Sequence, residues 1–346
     1  MPEKIDLQDE IFIHFLQDQY GLQAPEVTFL RQGGDINAAA YRVITKDNRT
    51  YFLKLLRGVF DETSVRVSRF LYDQGICQIN APITTVDNRL WTQLEGFHAV
   101  LYPFIEGQNA FEVALTAPQW VNFGAALRAI HAAKLPAELD GLVRREVYSP
   151  HWQERVGTLL EYAQKDTFAD PIAARYARIL AAKSGEILHF VQVAELLGAA
   201  LKTQERKYVL CHSDIHAGNL RASPDGNLFI IDWDHPVLAP KERDLMFIGG
   251  GVGSAWNRPH EEEYFYAGYG RTEIDPVALA YYRFERIVQD IAEWGELTLF
   301  TDKGGKDRAR ALQGLIRWFS PNDVVAMAYK AEHDLPTSAA LHRPRE

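Results

Sequence analysis

The chain has 346 residues, 47% of them apolar and 24% charged, so it is globular rather than disordered and long enough for two domains or lobes. Its formal charge of −9 argues against nonspecific nucleic-acid binding, which needs a basic face, and suits attraction of a cationic small molecule, an ordinary soluble protein being the alternative. Two cysteines, Cys77 and Cys211, make no disulfide framework; no stretch approaches the roughly 20 apolar residues of a membrane span, and Met1–Asp6 carries no apolar signal segment, so the cytoplasm is the expected compartment.

Asp6 can cap a helix in which Leu7, Ile11 and Phe15 recur at helical spacing, and Gly21 stops it. Val27–Gln32 and Ala39–Thr45 read as strands around the loop Gly33-Gly34-Asp35-Ile36-Asn37, and Lys46–Arg49 turns the chain into a third strand, Tyr51–Leu56. A short helix is expected over Asp61–Asp73. Ile83–Val86, Leu90–Leu94 and Phe97–Tyr102 complete a small antiparallel sheet, with Asp87-Asn88 and Glu95-Gly96 at the turns. Beyond Pro103–Gly107 the pattern becomes mainly helical. Trp120, Phe123, Leu127 and Ile130 form one stripe, Ile179–Leu201 reads as one long helix, and Pro276–Trp294, Arg308–Phe319 and Asn322–His333 are further helices. Tyr208–Cys211 and Leu228–Ile231 are short strands flanking a turn. No internal repeat or low-complexity linker interrupts the chain. Gly249–Gly253 follows a helical segment rather than a strand, so it reads as a helix break with close backbone packing.

The turn holds the most specific signal. His212-Ser213-Asp214-Ile215-His216-Ala217-Gly218-Asn219 reads H-x-D-x-x-x-x-N, and Asp232 follows the apolar run Leu228–Ile231. A phosphoryl-transfer site presents its groups in this order: a carboxylate to orient an attacking hydroxyl, then an amide and a second carboxylate as hard oxygen ligands for Mg²⁺. Asp214 is the candidate base, and His212 braces the loop through the backbone. His212, Asp214 and His216 also spell H-x-D-x-H, which would suit a transition-metal hydrolase; that reading leaves Asn219 and Asp232 unexplained.

With Leu238–Gly253 and Arg286–Ala292, these segments resemble the aminoglycoside phosphotransferases, and within them the spectinomycin 9-phosphotransferases; weaker similarity runs from the N-terminal helix through Pro103–Gly107. The resemblance implies an α+β, protein-kinase-like bilobal fold. A small N-lobe with an antiparallel five-stranded sheet would span residues 1–103, a hinge 104–107, and a larger, mainly helical C-lobe 108–346. It implies a Mg²⁺-dependent kinase, with two ions expected, that transfers the γ-phosphoryl group of ATP (GTP being the alternative) to a hydroxyl of a cationic aminocyclitol. Neither nucleic acid nor membrane is an expected partner.

By that resemblance Asn219 and Asp232 are the metal ligands, and Asp232-Trp233-Asp234 stands where protein kinases have Asp-Phe-Gly. Lys54 pairs with the nucleotide phosphates. Its carboxylate partner is expected at Glu62, with Asp61 the alternative, although the family's usual spacing falls near 64–66. Gly34, Asp35 and Asn37 sit where a phosphate-covering loop belongs, but the stretch is neither G-x-G-x-x-G nor G-x-x-x-x-G-K-[ST]. The backbone of Phe104 and Ile105 meets the adenine edge, with Tyr102 and Phe104 near the ring, plain core being the alternative for the two aromatics. Asp244 resembles the family's structural Asp and anchors the catalytic loop. Protonated amines on the acceptor call for carboxylates and aromatics, for which Asp234, His216, Glu285, Asp290 and Trp294 are the candidates; a solvated acidic helix face is the alternative for Glu285 and Asp290. Two other readings remain: a metabolic choline-, homoserine- or sugar-kinase-like enzyme, and a non-catalytic binding protein of the same fold.

Overall fold

A computed structural model describes residues 4–31, 37–165, 167–250, 255–256, 258–302, 305–321 and 323–336. The chain divides into two compact units. The first comprises Met1–Leu115, Ala133–Val143 and Gly218–Pro236; the second comprises Thr116–Ala132, Arg144–Ala217 and Val237–Glu346.

The first unit is built on an antiparallel sheet of five strands, β1 (Glu26–Leu30), β2 (Ala38–Ile44), β3 (Thr50–Leu56), β4 (Thr92–Leu94) and β5 (Phe97–Pro103), in the order β1-β2-β3-β5-β4. Strand alternation decides its faces. Leu53 and Leu55 of β3 are fully buried and join Tyr41, Val43, Ala99 and Leu101 in a core capped by Phe12 and Leu16 of the helix Asp9–Tyr20. That helix ends as the sequence predicts: Gly21 takes the left-handed backbone, with φ 66°, that favours a residue without Cβ. Residues 83–86 are not a strand. The Ile83 N–H reaches the Leu101 carbonyl at 2.7 Å, but Thr85 closes locally onto Arg89, its N–H donating to the Arg89 carbonyl at 2.8 Å and its hydroxyl accepting the Arg89 N–H at 3.0 Å. The turn chemistry at Asp87-Asn88 thus consumes the groups a ladder would have used.

A second sheet in this unit pairs Leu228–Ile230, Leu220–Ala222 and Gln108–Asn109. The strand Leu220–Ala222, overlooked in the sequence, directly follows Asn219 and returns through the Asp225-Gly226 turn to Leu228–Ile230. The second unit is mainly helical, with one small sheet in the order Arg144–Arg145, Val237–Ala239, Val209–Cys211. The two strands expected to flank one turn therefore lie in different sheets.

The long helix Pro276–Leu299 buries Tyr281, Phe284, Ile287, Val288 and Ile291. It packs on the helices His151–Lys165, Ser184–Lys202, Gly305–Trp318 and Val324–His333. Ile179–Leu201 is two helices, Pro171–Ala182 and Ser184–Lys202, broken at Lys183 with φ −105° and ψ 10°. The apolar stripe runs through the break, which is why periodicity alone missed it; Ser184-Gly185, poor helix formers, mark the place. No helix among the described residues is long and apolar enough to cross a membrane.

Candidate functional site

The first unit presents Lys54, Asn219, Asp232 and Asp234. With Leu53 and Leu55 buried in the core, Lys54 emerges on the opposite face of β3, beside Phe52 and paired with Val100; Tyr102, opposite Phe52, shares that face. The Lys54 ammonium donates to Asp234 Oδ1 and Oδ2 at 2.9 and 2.8 Å and to Asp232 Oδ1 at 3.4 Å. Burial penalises this cation, yet the two carboxylates outweigh the penalty and hold its pKa above the ordinary lysine value. Asp232 has the left-handed φ of 64° that a side chain rarely adopts, just after the strand Leu228–Ile230. The Ile231 N–H donates to the Asn219 carbonyl at 3.0 Å and ties the two candidate ligands to one frame. Hard oxygens of an amide and a carboxylate, in a cluster that already holds an ammonium against two carboxylates, fit a magnesium ion.

Glu62 does not meet Lys54. It stands at the N-cap of the helix Thr63–Asp73, where it pairs with Arg66 at 3.3 Å and accepts from Trp91 Nε1 at 3.3 Å. Asp61 caps the Thr63 N–H at 2.9 Å. A residue at the cap points along the first turn rather than across to β3, so the lysine turns to the two aspartates instead. The Phe104 N–H donates to the Thr50 carbonyl at 3.2 Å, while Arg42 lies over the Phe104 ring at 5.0 Å. Asn37 accepts the Arg57 N–H at 2.9 Å through its carbonyl. Gly34 and Asp35 lie outside the described residues.

The second unit presents Asp214. Its turn is held from behind by Asp244, which is fully buried: the His212 N–H donates to Asp244 Oδ2 at 2.9 Å and the Ser213 N–H to Oδ1 at 2.7 Å. His131 Nε2 lies 3.1 Å from the same carboxylate, and His131 Nδ1 lies 2.8 Å from the Tyr269 hydroxyl. Ser213 is left-handed, with φ 72°, a conformation the paired hydrogen bonds can impose. His212 is buried, and its Nδ1 accepts the Asp214 N–H at 3.3 Å.

Asp214 Oδ1 meets Arg286 Nη1 at 2.5 Å, and Oδ2 lies 3.6 Å from His216 Nε2. Burial would raise the Asp214 pKa, but Arg286, His216 and His212 overcome it and hold the carboxyl well below its usual range. His216 is pushed down to about 4 by burial, against the pull of Asp214 and with the help of Arg286 and His212, so its imidazole is neutral at physiological pH. Among the described residues, the group of at least three His, Cys, Asp or Glu side chains with ligand atoms within 4.8 Å is His131, Cys211 and Asp244. Among the described residues His212, Asp214 and His216 do not form such a group.

Arg286 is the residue the sequence reading passed over. Its spacing to Asp290 on an otherwise apolar helical stripe was the available signal, and the pair closes at 3.0 Å. Neither a solvated acidic face nor an open amine-binding face describes this helix. Glu285 is buried, accepts from Gln153 Nε2 at 2.8 Å and is raised to about 7 by burial. Asp290 is likewise buried, and Trp294 packs against Trp318 in a tilted pair with ring centroids 4.5 Å apart. Gly249 and Gly250 are left-handed, with φ 80° and 113°, and a side chain on either would press on Glu262 or Met327, as expected of a tightly packed helix break. Residues 251–253 lie outside the described residues.

Residues 28–282 match the model of the phosphotransferase enzyme family that includes the aminoglycoside phosphotransferases. The chain belongs to this family. It is therefore a phosphotransferase acting on an alcohol group, of aminoglycoside-kinase type, with a protein-kinase-like α+β fold. The crystal structure of spectinomycin phosphotransferase APH(9)-Ia in complex with ADP and spectinomycin is similar at 41% identity and TM-score 0.88, over 95% of this chain and 99% of that one. An AMP-bound complex of spectinomycin phosphotransferase APH(9)-Ia is similar at 40% identity and TM-score 0.83, over 92% and 98% of the two chains. Choline kinase LicA from Streptococcus pneumoniae, at 16% identity and TM-score 0.53 over 89% and 98% of the chains, shares the fold alone. No curated protein matches the sequence.

Proposed function

We propose that this kinase transfers the γ-phosphoryl group of ATP to a hydroxyl of spectinomycin in the cytoplasm and thereby confers resistance to the drug. The observation that carries the reading is the 41% identity, extending over 95% of the chain, to a spectinomycin phosphotransferase crystallised with ADP and spectinomycin. In this reading the ionised Asp214 carboxylate accepts the hydrogen bond of the acceptor hydroxyl, aligns it for in-line attack and takes its proton late in the transfer. Lys54 leaves Asp232 and Asp234 for the nucleotide phosphates. The Phe104 N–H is already spent on the sheet, so the adenine edge falls to the Phe104 carbonyl and to Ile105, with Tyr102 near the ring. Asn219 and Asp232 would hold a magnesium ion, with Asp234 beside them, and such an ion would supply charge neutralisation for the triphosphate.

Purified protein incubated with ATP, Mg²⁺ and a panel of spectinomycin, streptomycin, kanamycin, choline and homoserine should phosphorylate spectinomycin. Turnover of choline alone would transfer the assignment to the metabolic kinases. Asp214→Asn should cut turnover by about 10²–10⁴-fold with nucleotide binding largely intact. Asp232→Ala should weaken Mg²⁺-dependent nucleotide binding in a calorimetric titration, and wild-type affinity there would reject its place in the metal site.

A further inference from the structure

Arg286 is a mostly covered cation held between two carboxylates from different parts of the second unit. Its side chain is 16% exposed; Nη1 lies 2.5 Å from Asp214 Oδ1 and Nε lies 3.0 Å from Asp290 Oδ1. Desolvating a guanidinium costs several kcal/mol, so such a group persists only with matched partners. Asp290, one helical turn further on and 8% exposed in its side chain, is such a partner and comes from the same helix. Asp214 comes from a turn 72 residues earlier in the chain. The planar fork of an arginine can direct a hydrogen bond to Asp214 through Nη1 while its delocalised charge pairs with Asp290 at the Nε edge. The guanidinium carbon lies over the Phe247 ring, 5.8 Å from its centroid.

We propose that Arg286 is a positioning residue for phosphoryl transfer: braced by Asp290, it fixes the direction and the ionised state of the Asp214 carboxylate that receives the acceptor hydroxyl. This rests on the reading of Asp214 given above. The titratable and charged groups around Asp214 include Arg286 from the long helix and His216 and His212 from its own turn; those around Asp290 include Arg286, Glu293, Asp214 and Tyr176. The guanidinium is a permanent positive charge in that set and lies 2.5 Å from Asp214 Oδ1. Removing it both releases the carboxylate and lets it take up a proton more readily.

The test is steady-state kinetics of Arg286→Gln, Arg286→Lys, Asp290→Asn and Asp214→Asn across pH, with ATP and spectinomycin. Arg286→Gln should lower kcat by about 10–100-fold with KM for nucleotide within about threefold, and should move the acid limb of kcat upward by about one pH unit or more. Arg286→Lys should recover part of the rate and the wild-type acid limb. Asp290→Asn should lower kcat without raising the acid limb, because the guanidinium charge remains. In the Asp214→Asn background, Arg286→Gln should change kcat by less than about twofold, since an effect exerted through Asp214 cannot be lost twice. Full additivity in that background, or a wild-type rate and pH profile for Arg286→Gln while Asp214→Asn is impaired, would overturn the proposal. Wild-type turnover by Asp214→Asn would instead overturn the reading of Asp214. Should Arg286→Gln fail to fold by circular dichroism, unchanged kcat in both Arg286→Lys and Asp290→Asn would refute the role.

Discussion

Replacing Asp244 tests whether the catalytic turn is held from behind. Its carboxylate receives the N–H groups of His212 and Ser213 at 2.9 and 2.7 Å and also meets His131 at 3.1 Å, all away from solvent. Hydrogen bonds to a charged acceptor contribute ~1.5–3 kcal/mol, and a buried donor left without a partner costs ~1–3 kcal/mol. Asp244→Ala strands two backbone donors, so the expected loss is about 3–6 kcal/mol. Asp244→Asn keeps one acceptor oxygen and turns an NH₂ group towards the other N–H; its loss should be about 2–3 kcal/mol. Catalysis should suffer too, since the left-handed Ser213 that aims Asp214 loses its clamp. Urea unfolding followed by far-ultraviolet circular dichroism, paired with kcat for each variant, makes the measurement. An Asp244→Ala protein losing less than about 1 kcal/mol, or retaining turnover within about twofold, would show that the hydrogen bonds do not hold the turn.

Lys54→Met should weaken nucleotide binding by about tenfold or more in calorimetry, because the phosphates lose their cation and the Asp232 and Asp234 carboxylates are left facing one another; unchanged affinity would remove Lys54 from the nucleotide site. Glu285 has a folded-state pKa raised by burial to about 7 from an ordinary 4.5, so the stability linked to its protonation is present below the unfolded value and is lost as pH rises through 7. Glu285→Gln, which can still accept from Gln153, should gain roughly 2–3 kcal/mol relative to wild type between pH 5 and pH 8; a pH-independent difference in the unfolding midpoint would contradict this. Gly268→Ala should destabilise the second unit by several kcal/mol, because a methyl group there overlaps the Val121 carbonyl where the helices Ala117–Ala132 and Pro259–Tyr269 touch backbone to backbone. A thermal midpoint within about two degrees of wild type would mean the helices can separate at little cost.

Much of this protein is written in short stretches of sequence. Alternation in Thr50–Leu56 settles that Leu53 and Leu55 enter the core and that Lys54 faces away from it; Gly21 ends a helix where its missing Cβ permits; and eight consecutive residues ending at Asn219 carry the signature of the reaction class. These are local properties, fixed by the period of a strand or a helix and by the backbone freedom of single residues. The tertiary structure decided what each polar side chain meets. It sent Lys54 to Asp232 and Asp234 rather than to Glu62, buried Glu285 inside the helical unit and set Trp294 against Trp318, and placed Arg286 against a carboxylate 72 residues away. Periodicity reveals which side of a helix is apolar, but the partner of a charge on that side comes from another segment of the chain. Its identity depends on how the helices pack and not on the neighbouring residues.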